Sequence, residues 1–152
     1  MHQEFCKIFS RFVEENGIQE NEFGLEITET AELEDTKKAG ESLERLKKRG
    51  IKIALDDFGA GYASLKYIRD LPIDVVKLDR HFTSNISDPS TSRLIKFVSD
   101  VCAELNLEMI GEGIETEKEK NMMIELGCVT GQGFLMHMPS FIEDIKKENN
   151  DG

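Results

Sequence analysis

Short apolar segments alternate with segments of helical hydrophobic spacing along almost the whole chain, and this alternation constrains the fold more than any other feature. The apolar segments, each interpreted as a strand, are residues 23–28, 51–58, 73–79, 107–114 and 128–136. Segments with helical periodicity or helix-start signals surround them, over residues 5–13, 31–49, 63–71, 88–105, 116–126 and 139–147. Because each intervening helix carries the chain back across the sheet, this order predicts parallel strands. The sequence therefore predicts an α/β fold with about five parallel strands and flanking helices.

Two helix starts carry specific capping signals. Asp88 followed by Pro89 has the order of an N-cap and a first helical residue. Thr116 with Glu119 three residues later forms the pattern of a capping box. These signals predict where the fourth and fifth of the helices begin.

Charge and hydropathy exclude several classes of protein. The chain has 30 acidic and 19 basic residues and a formal net charge of −11, so it has no general attraction for DNA or RNA polymers. Hydrophobic residues make up 39% and charged residues 32%, as in a soluble globular domain. No apolar run approaches the roughly 20 residues of a membrane span. The N-terminus lacks the features of a secretory signal, and we expect a cytoplasmic location.

The three cysteines do not form a metal-binding or disulfide pattern. Cys6, Cys102 and Cys128 are far apart, and their number is odd. We expect them to be reduced and mostly packed in the core.

Polar side chains lie at or just past the C-terminal end of every predicted strand. Strand by strand they are Glu26 and Glu29, Asp56 and Asp57, Lys77 and Asp79, Glu112 and Glu115, and Gln132. In parallel α/β sheets and barrels the active site lies at this edge. Each of these residues taken alone could be a turn, cap or solvated residue, but the repetition over five strands favours a common site.

Carboxylates from four strand ends predict a binding site for hard divalent cations such as Mg²⁺ or Mn²⁺. An adjacent pair such as Asp56–Asp57 can ligate two ions that are ~3.5–4 Å apart, with one carboxylate bridging them. Such ions neutralise the pair, activate water and bind a phosphate, and Lys77 could orient the water. The pattern therefore favours phosphodiester hydrolysis.

Five motifs give the chain a specific likeness to a known family. They are LEITET (25–30), DDFGAGYASL (56–65), VVKLDRHF (75–82), GEGIET (111–116) and GQGFLMHMP (131–139). In order and spacing they resemble the EAL domains, bacterial signalling phosphodiesterases that use Mg²⁺ or Mn²⁺ to hydrolyse cyclic di-GMP to linear pGpG. The resemblance implies a TIM-like (β/α) barrel and cyclic di-GMP as the ligand.

The resemblance also implies roles for individual residues. Metal ligands would be Glu26, Asp56, Asp57 and Glu112, with Asp56 bridging. Catalytic roles would fall to Lys77, which contacts the hydrolytic water, and to Glu112 and Gln132. Support for the loop or the substrate would come from Glu29, Phe58, Gly59, Gly61, Asp79 and Glu115.

The sequence departs from the family pattern in its first part. The Glu-Ala-Leu signature and the strand with an asparagine ligand are absent from these 152 residues. We therefore expect residues 1–147 to be a truncated EAL domain, a partial barrel of the C-terminal five βα units, followed by a polar tail over 148–152. The two-metal site would be incomplete, and the chain alone would bind metal weakly and hydrolyse little. Its unclosed sheet predicts a homodimer or association with the missing half of the barrel.

Three functions compete on this evidence. The first is the C-terminal part of a cyclic di-GMP phosphodiesterase, inactive alone. The second is a non-catalytic module that binds cyclic di-GMP or another protein. The third, a different carboxylate–Mg²⁺ barrel enzyme of the enolase kind, is disfavoured because the DDFGAGYASL loop resembles the EAL family.

Overall fold

The computed structural model describes residues 8, 9, 11–13, 15, 24–28, 36–60 and 64–140. The described residues between 8 and 15 are helical, in agreement with part of the first predicted helix. Glu29, Gly61 and the tail 148–152 lie outside the described residues. So does the predicted helix 139–147 apart from residues 139 and 140, which are not helical.

Five parallel strands form one sheet, as the sequence predicts. They are β1 (Gly24–Thr28), β2 (Lys52–Phe58), β3 (Val75–Leu78), β4 (Glu108–Gly111) and β5 (Thr130–Gly131). Each strand pairs in parallel with the next one along the chain, in the order β1-β2-β3-β4-β5. This sequential order places all five C-terminal strand ends at one edge.

Helices cover the sheet and bury its apolar residues. They are α1 (Thr36–Lys47), α2 (Ser64–Asp70), α3 (Arg80–Ser84), α4 (Pro89–Glu104) and α5 (Glu117–Glu125). The core joins strand residues such as Ile53 and Val76 to helix residues such as Leu43 and Ile95, each fully buried. All four residues of β3 are buried, so this strand is covered on both faces.

The predicted helix starts are confirmed. The Asp88 side chain accepts hydrogen bonds from the backbone N–H groups of Ser90 and Thr91 at the start of α4. Thr116 and Glu119 form both hydrogen bonds of a capping box at the start of α5. These caps satisfy backbone donors that a helix start leaves unpaired.

Two features differ from the sequence prediction. The fifth strand covers only Thr130–Gly131, because the chain leaves the sheet at Gln132 to form a turn. The short helix α3 was not predicted, since five residues are too few to show helical periodicity. Both differences lie at the edge of the sheet that carries the predicted site.

A polar cluster at the opposite edge joins α1 to β2 and β3. Lys47 Nζ lies 2.8 Å from Asp74 Oδ1, and it donates to the carbonyl of Ile73 at 3.2 Å. Asp74 Oδ2 accepts a hydrogen bond of 2.9 Å from the backbone N–H of Ile53, a fully buried residue. Asp74 therefore fixes the start of β2 as well as the end of α1.

We expect Asp74→Ala to lower the free energy of unfolding by about 1–2 kcal/mol, because it leaves a buried backbone N–H without an acceptor. Urea denaturation measures this change. Glu108→Gln is the control, since it removes only an exposed 3.7 Å contact with Lys52 and should change stability by less than about 0.5 kcal/mol. Equal effects of the two substitutions would contradict the assigned role of Asp74.

Cys102 and Cys128 are buried and unpaired with each other, as predicted, whereas Cys6 lies outside the described residues. Burial raises the pKa of each thiol to about 11. We expect iodoacetamide at mildly alkaline pH to label both cysteines slowly in the folded protein and rapidly in urea, because the thiolate is the reactive form. Peptide mass spectrometry measures the labelling, and equal rates in both states would contradict the burial.

Among the described residues, none of the helices combines the length and apolar character needed to cross a bilayer.

Candidate metal centre and active site

A buried lysine at the end of β3 lies at the centre of the predicted site. Lys77 Nζ is 2.9 Å from Glu26 Oε1 of β1, 2.9 Å from Asp56 Oδ1 of β2 and 2.9 Å from Glu112 Oε1 after β4. The Lys77 side chain is only 8% exposed. Carboxylates from three other strand ends thus converge on one ammonium group.

The electrostatics of Lys77 follow from this geometry. Burial acts to lower its pKa, but contacts with Asp56, Glu26 and Glu112 outweigh burial and raise the pKa above its ordinary value. The ammonium form therefore persists at physiological pH. It partly neutralises carboxylates that would otherwise repel one another.

Asp56 and Asp57 both reach the site because β2 is irregular at its end. In a regular strand, adjacent side chains point to opposite faces. Here the register of β2 with β3 shifts between Leu55 and Phe58, and Asp57 has a φ of 54°, in the left-handed region. Asp57 tolerates that region better than most residues do. The bulge turns two successive carboxylates toward the same cluster, which also includes Glu112.

A tight turn follows the aspartates and packs against α3. The backbone N–H of Ala60 donates to the carbonyl of Asp57 at 3.1 Å. Gly59, third in this turn, has a φ of 98°, which favours glycine. A Cβ at Gly59 would lie 2.1 Å from Phe82 Cε2. Phe58 is buried in the core, so it supports the turn from below and does not line the cleft.

Glu112 is fixed by neighbours on both sides. Its backbone N–H donates to the carbonyl of Leu78 at 3.1 Å. Gln132, directly after β5, donates from Nε2 to Glu112 Oε1 at 2.7 Å. Burial raises the pKa of the Glu112 carboxyl, with Asp56 and Asp57 adding to the shift and Lys77 opposing it.

The carboxylates present fit a divalent cation. One carboxylate oxygen from each of Asp56, Asp57 and Glu112 lies within 4.8 Å of those from the other two. Asp56 Oδ1 is buried. Lys77 Nζ lies 2.9 Å from it, but the angles of this contact are not those of a hydrogen bond. With Glu26 included, the cluster holds four carboxylates and one ammonium group, which leaves it strongly negative. Oxygen donors with excess negative charge suit Mg²⁺ or Mn²⁺.

A cleft of about 380 Å³ opens beside this cluster. Of the predicted site residues, its walls include Asp57, Asp79, Glu112, Glu115 and Gln132. The structure thus brings these five together, and it places Glu26, Asp56 and Lys77 directly behind them. Asp79 also caps α3, because its side chain accepts a 2.8 Å hydrogen bond from the backbone N–H of His81.

Several residues of this region were not predicted from the sequence. Arg80 lines the cleft, with Nη2 3.6 Å from Glu115 Oε1, and Phe134 and His137 line its far wall. Arg80 lies within the VVKLDRHF motif, and Phe134 and His137 lie within the GQGFLMHMP motif, so the motifs could have indicated that these residues belong to the site. Thr83 of α3 is fully buried next to Glu112, and nothing in its sequence context indicated this.

Comparison with known proteins identifies the family of the chain. The family model of the EAL domain matches residues 1–139. Cyclic di-GMP phosphodiesterase PA2567 of Pseudomonas aeruginosa is 36% identical over 123 residues, which are 80% of this chain and 21% of that protein. The chain spans between 17% and 21% of the length of this and two further curated relatives.

Solved structures agree with the assignment. The EAL domain of Mycobacterium smegmatis DcpA superposes with a TM-score of 0.91 at 29% identity, over 100% of this chain and 69% of that chain. A manganese and cyclic di-GMP complex of Klebsiella pneumoniae BlrP1 has a TM-score of 0.79 at 27% identity, over 88% of this chain and 34% of that one. The predicted α/β architecture, a part of a TIM-like barrel, is confirmed. By the family match and these likenesses, the chain belongs to the EAL domain family.

Proposed function

We propose that residues 1–147 form the C-terminal five βα units of a phosphodiesterase domain that hydrolyses cyclic di-GMP to linear pGpG. The observation that carries this proposal is the convergence of Glu26, Asp56 and Glu112 on Lys77, each at 2.9 Å. A structural ion pair needs one carboxylate, whereas this lysine has three and Asp57 lies beside them. Such an excess of acid at the C-terminal edge of a parallel sheet favours cation-dependent catalysis.

Two divalent ions, Mg²⁺ or Mn²⁺, complete this site in our proposal. Glu26 and Asp56 would hold the first ion, Asp57 and Glu112 the second, and Asp56 would bridge them. When bound, such ions supply charge for a phosphate and a water activated at neutral pH.

The other residues act through position and charge. Lys77 keeps its proton, so it can offset phosphate charge but cannot serve as a base. Its three N–H donors all face carboxylates here, so it would hold the attacking water by a hydrogen bond once a bound metal ion draws one of those carboxylates away. Gln132 holds Glu112 Oε1 at 2.7 Å and so orients this carboxylate. Asp79 and Glu115 lie on the cleft wall, where they support the bound substrate. Glu29 and Gly61 retain their proposed roles in the loop after Asp57.

The likeness to relatives supports the ligand that we propose. PA2567 is named a cyclic di-GMP phosphodiesterase, and BlrP1 was solved with manganese and the dinucleotide. We propose a cytoplasmic location for this chain. Since the five strands of the described residues form an open sheet, we propose that the chain acts as a homodimer or with a partner that supplies the remaining strands.

A non-catalytic binding module is the second candidate, and one observation favours it. Glu26 is 52% exposed, and with Asp56 it forms the whole matched ligand set for the first ion. A site with so few protein ligands could bind cyclic di-GMP weakly without hydrolysing it.

Chromatographic assay of cyclic di-GMP with Mn²⁺ distinguishes the two candidates. We expect no turnover from the 152-residue chain alone. We expect turnover when it is mixed with a polypeptide that supplies the Glu-Ala-Leu and asparagine strands, and none when the chain carries Asp56→Asn. If the mixture bound cyclic di-GMP without hydrolysing it, the binding module would be favoured. If the mixture neither bound nor hydrolysed cyclic di-GMP, both candidate functions would be refuted.

Asp56→Asn is expected to weaken Mn²⁺ binding by at least about tenfold, because the amide oxygen carries no charge and offers a poorer bridge. Isothermal titration calorimetry measures the change without any need for turnover. Asp100→Asn is the matched control, since it makes the same chemical change on the exposed face of α4. If the two variants bound Mn²⁺ equally well, Asp56 would not be a metal ligand.

A further inference from the structure

Helix α3 carries a buried hydroxyl that the proposed function does not use. Thr83 is 0% exposed, although threonine is mostly a surface residue. A buried hydroxyl costs free energy unless it forms a hydrogen bond. The partners of this hydroxyl therefore indicate why it is there.

Thr83 Oγ1 contacts two carbonyl oxygens but has only one proton to donate. One is the carbonyl of Arg80 in its own helix, at 2.9 Å, and the other is the carbonyl of Glu112, which follows β4. Ser84, its neighbour in α3, is exposed; it donates to carbonyls of its own helix and accepts from Nδ2 of the adjacent Asn85. Thr83 differs because it is buried against the site and reaches a second segment of chain.

The contact between Thr83 and the Glu112 carbonyl lies just beyond the C-terminal end of strand β4. Strand β4 ends at Gly111, so Glu112 lies one residue beyond it. The Glu112 N–H is held by the carbonyl of Leu78, and its carbonyl is held by Thr83. From this backbone the Glu112 carboxylate reaches both Lys77 at 2.9 Å and Gln132 at 2.7 Å.

We propose that Thr83 is a positioning residue, whose hydroxyl fixes the Glu112 backbone and thereby holds the carboxylate in place for metal binding. The metal part of this inference rests on the proposed function, whereas the part about the backbone does not. The carboxylate oxygens of Asp56, Asp57 and Glu112 lie within 4.8 Å of one another, so a shift of Glu112 would change the spacing of the three donors and weaken the site.

The test compares Thr83→Val, which keeps the shape and removes the hydroxyl, with Thr83→Ser, which keeps the hydroxyl and removes a methyl group. Hydrogen exchange by mass spectrometry reports the backbone of residues 111–116, and calorimetry reports Mn²⁺ binding. We expect Thr83→Val to speed exchange in this peptide and to weaken Mn²⁺ binding by about twofold to tenfold, the effect of one hydrogen bond. Thr83→Ser should match the wild type in both measurements even if its melting temperature falls.

Other outcomes would contradict either the claim that Thr83 fixes the Glu112 backbone or the claim that it supports metal binding. Unchanged exchange in Thr83→Val, or equal defects in the Val and Ser variants, would show that the hydroxyl does not position Glu112. Faster exchange with unchanged Mn²⁺ affinity would make Thr83 merely structural. If the wild type bound no Mn²⁺, the proposed function would fail, and exchange would still decide whether Thr83 fixes the backbone. If Thr83→Val did not fold, Thr83→Ala against Thr83→Ser would make the same comparison.

Discussion

Replacing Lys77 by methionine is expected to lower the free energy of unfolding by about 3 kcal/mol in metal-free buffer, because it leaves buried carboxylates without their counter-charge. Asp56 and Glu112 account for most of this loss, since their side chains are 18% and 16% exposed. The contact with Glu26 adds little, because that carboxylate is half exposed to water. Methionine has a similar length and no charge, so the change isolates the ammonium group. Urea denaturation with chelator present measures the effect.

Divalent cations should recover part of the lost stability. Once the ammonium group is gone, Mn²⁺ can neutralise the same carboxylates without competing with it, and binding to the folded state alone adds stability. Millimolar Mn²⁺ should therefore stabilise Lys77→Met more than the wild type. Lys96→Met is the control, because Lys96 pairs with Asp100 on an exposed helix face and should change stability by less than about 0.5 kcal/mol. A Lys77 variant as stable as this control would show that the cluster needs no cation.

The sequence could predict the location of this site because the rule behind it depends only on topology. Parallel strands that pair in sequential order bring their C-terminal ends to one edge, whatever the details of their loops. Glu26, Lys77 and Glu112 could therefore be grouped from their positions toward the C-terminal ends of three apolar segments. Their convergence in one cluster is what the structure adds.

The local geometry of the aspartate pair could not be predicted in the same way. Alternation of side chains in a strand places Asp56 and Asp57 on opposite faces. The structure turns both toward the carboxylate cluster through the register shift and the positive φ of Asp57. Such a bulge depends on contacts with β3 and α3, which are remote in sequence. For the same reason the buried hydroxyl of Thr83, which meets a carbonyl 29 residues away, has no local signature.

A close contact of backbones at the last strand leads to the second large expected effect. Gly133 follows Gln132, and a Cβ at this position would lie 2.2 Å from the Ile114 carbonyl oxygen and 2.3 Å from its nitrogen. Ile114 cannot move aside, because its N–H donates to the carbonyl of Gln132 and its carbonyl accepts from the N–H of Leu135. We therefore expect Gly133→Ala to lower the free energy of unfolding by about 2–3 kcal/mol, as measured by urea denaturation.

Gly40→Ala is the matched control for this substitution. Gly40 lies in α1, where an added Cβ would be 3.7 Å from the carbonyl oxygen of Asp70, an ordinary van der Waals distance. Alanine also favours the helix by up to about 1 kcal/mol relative to glycine, so this variant should be as stable as the wild type or more stable. Because Gly133→Ala also displaces Gln132, it should weaken Mn²⁺ binding through Glu112, whereas Gly40→Ala should not. If both variants were equally stable, the chain around Ile114 would be free to move, and Gln132 could not hold Glu112 in the orientation that the metal centre requires.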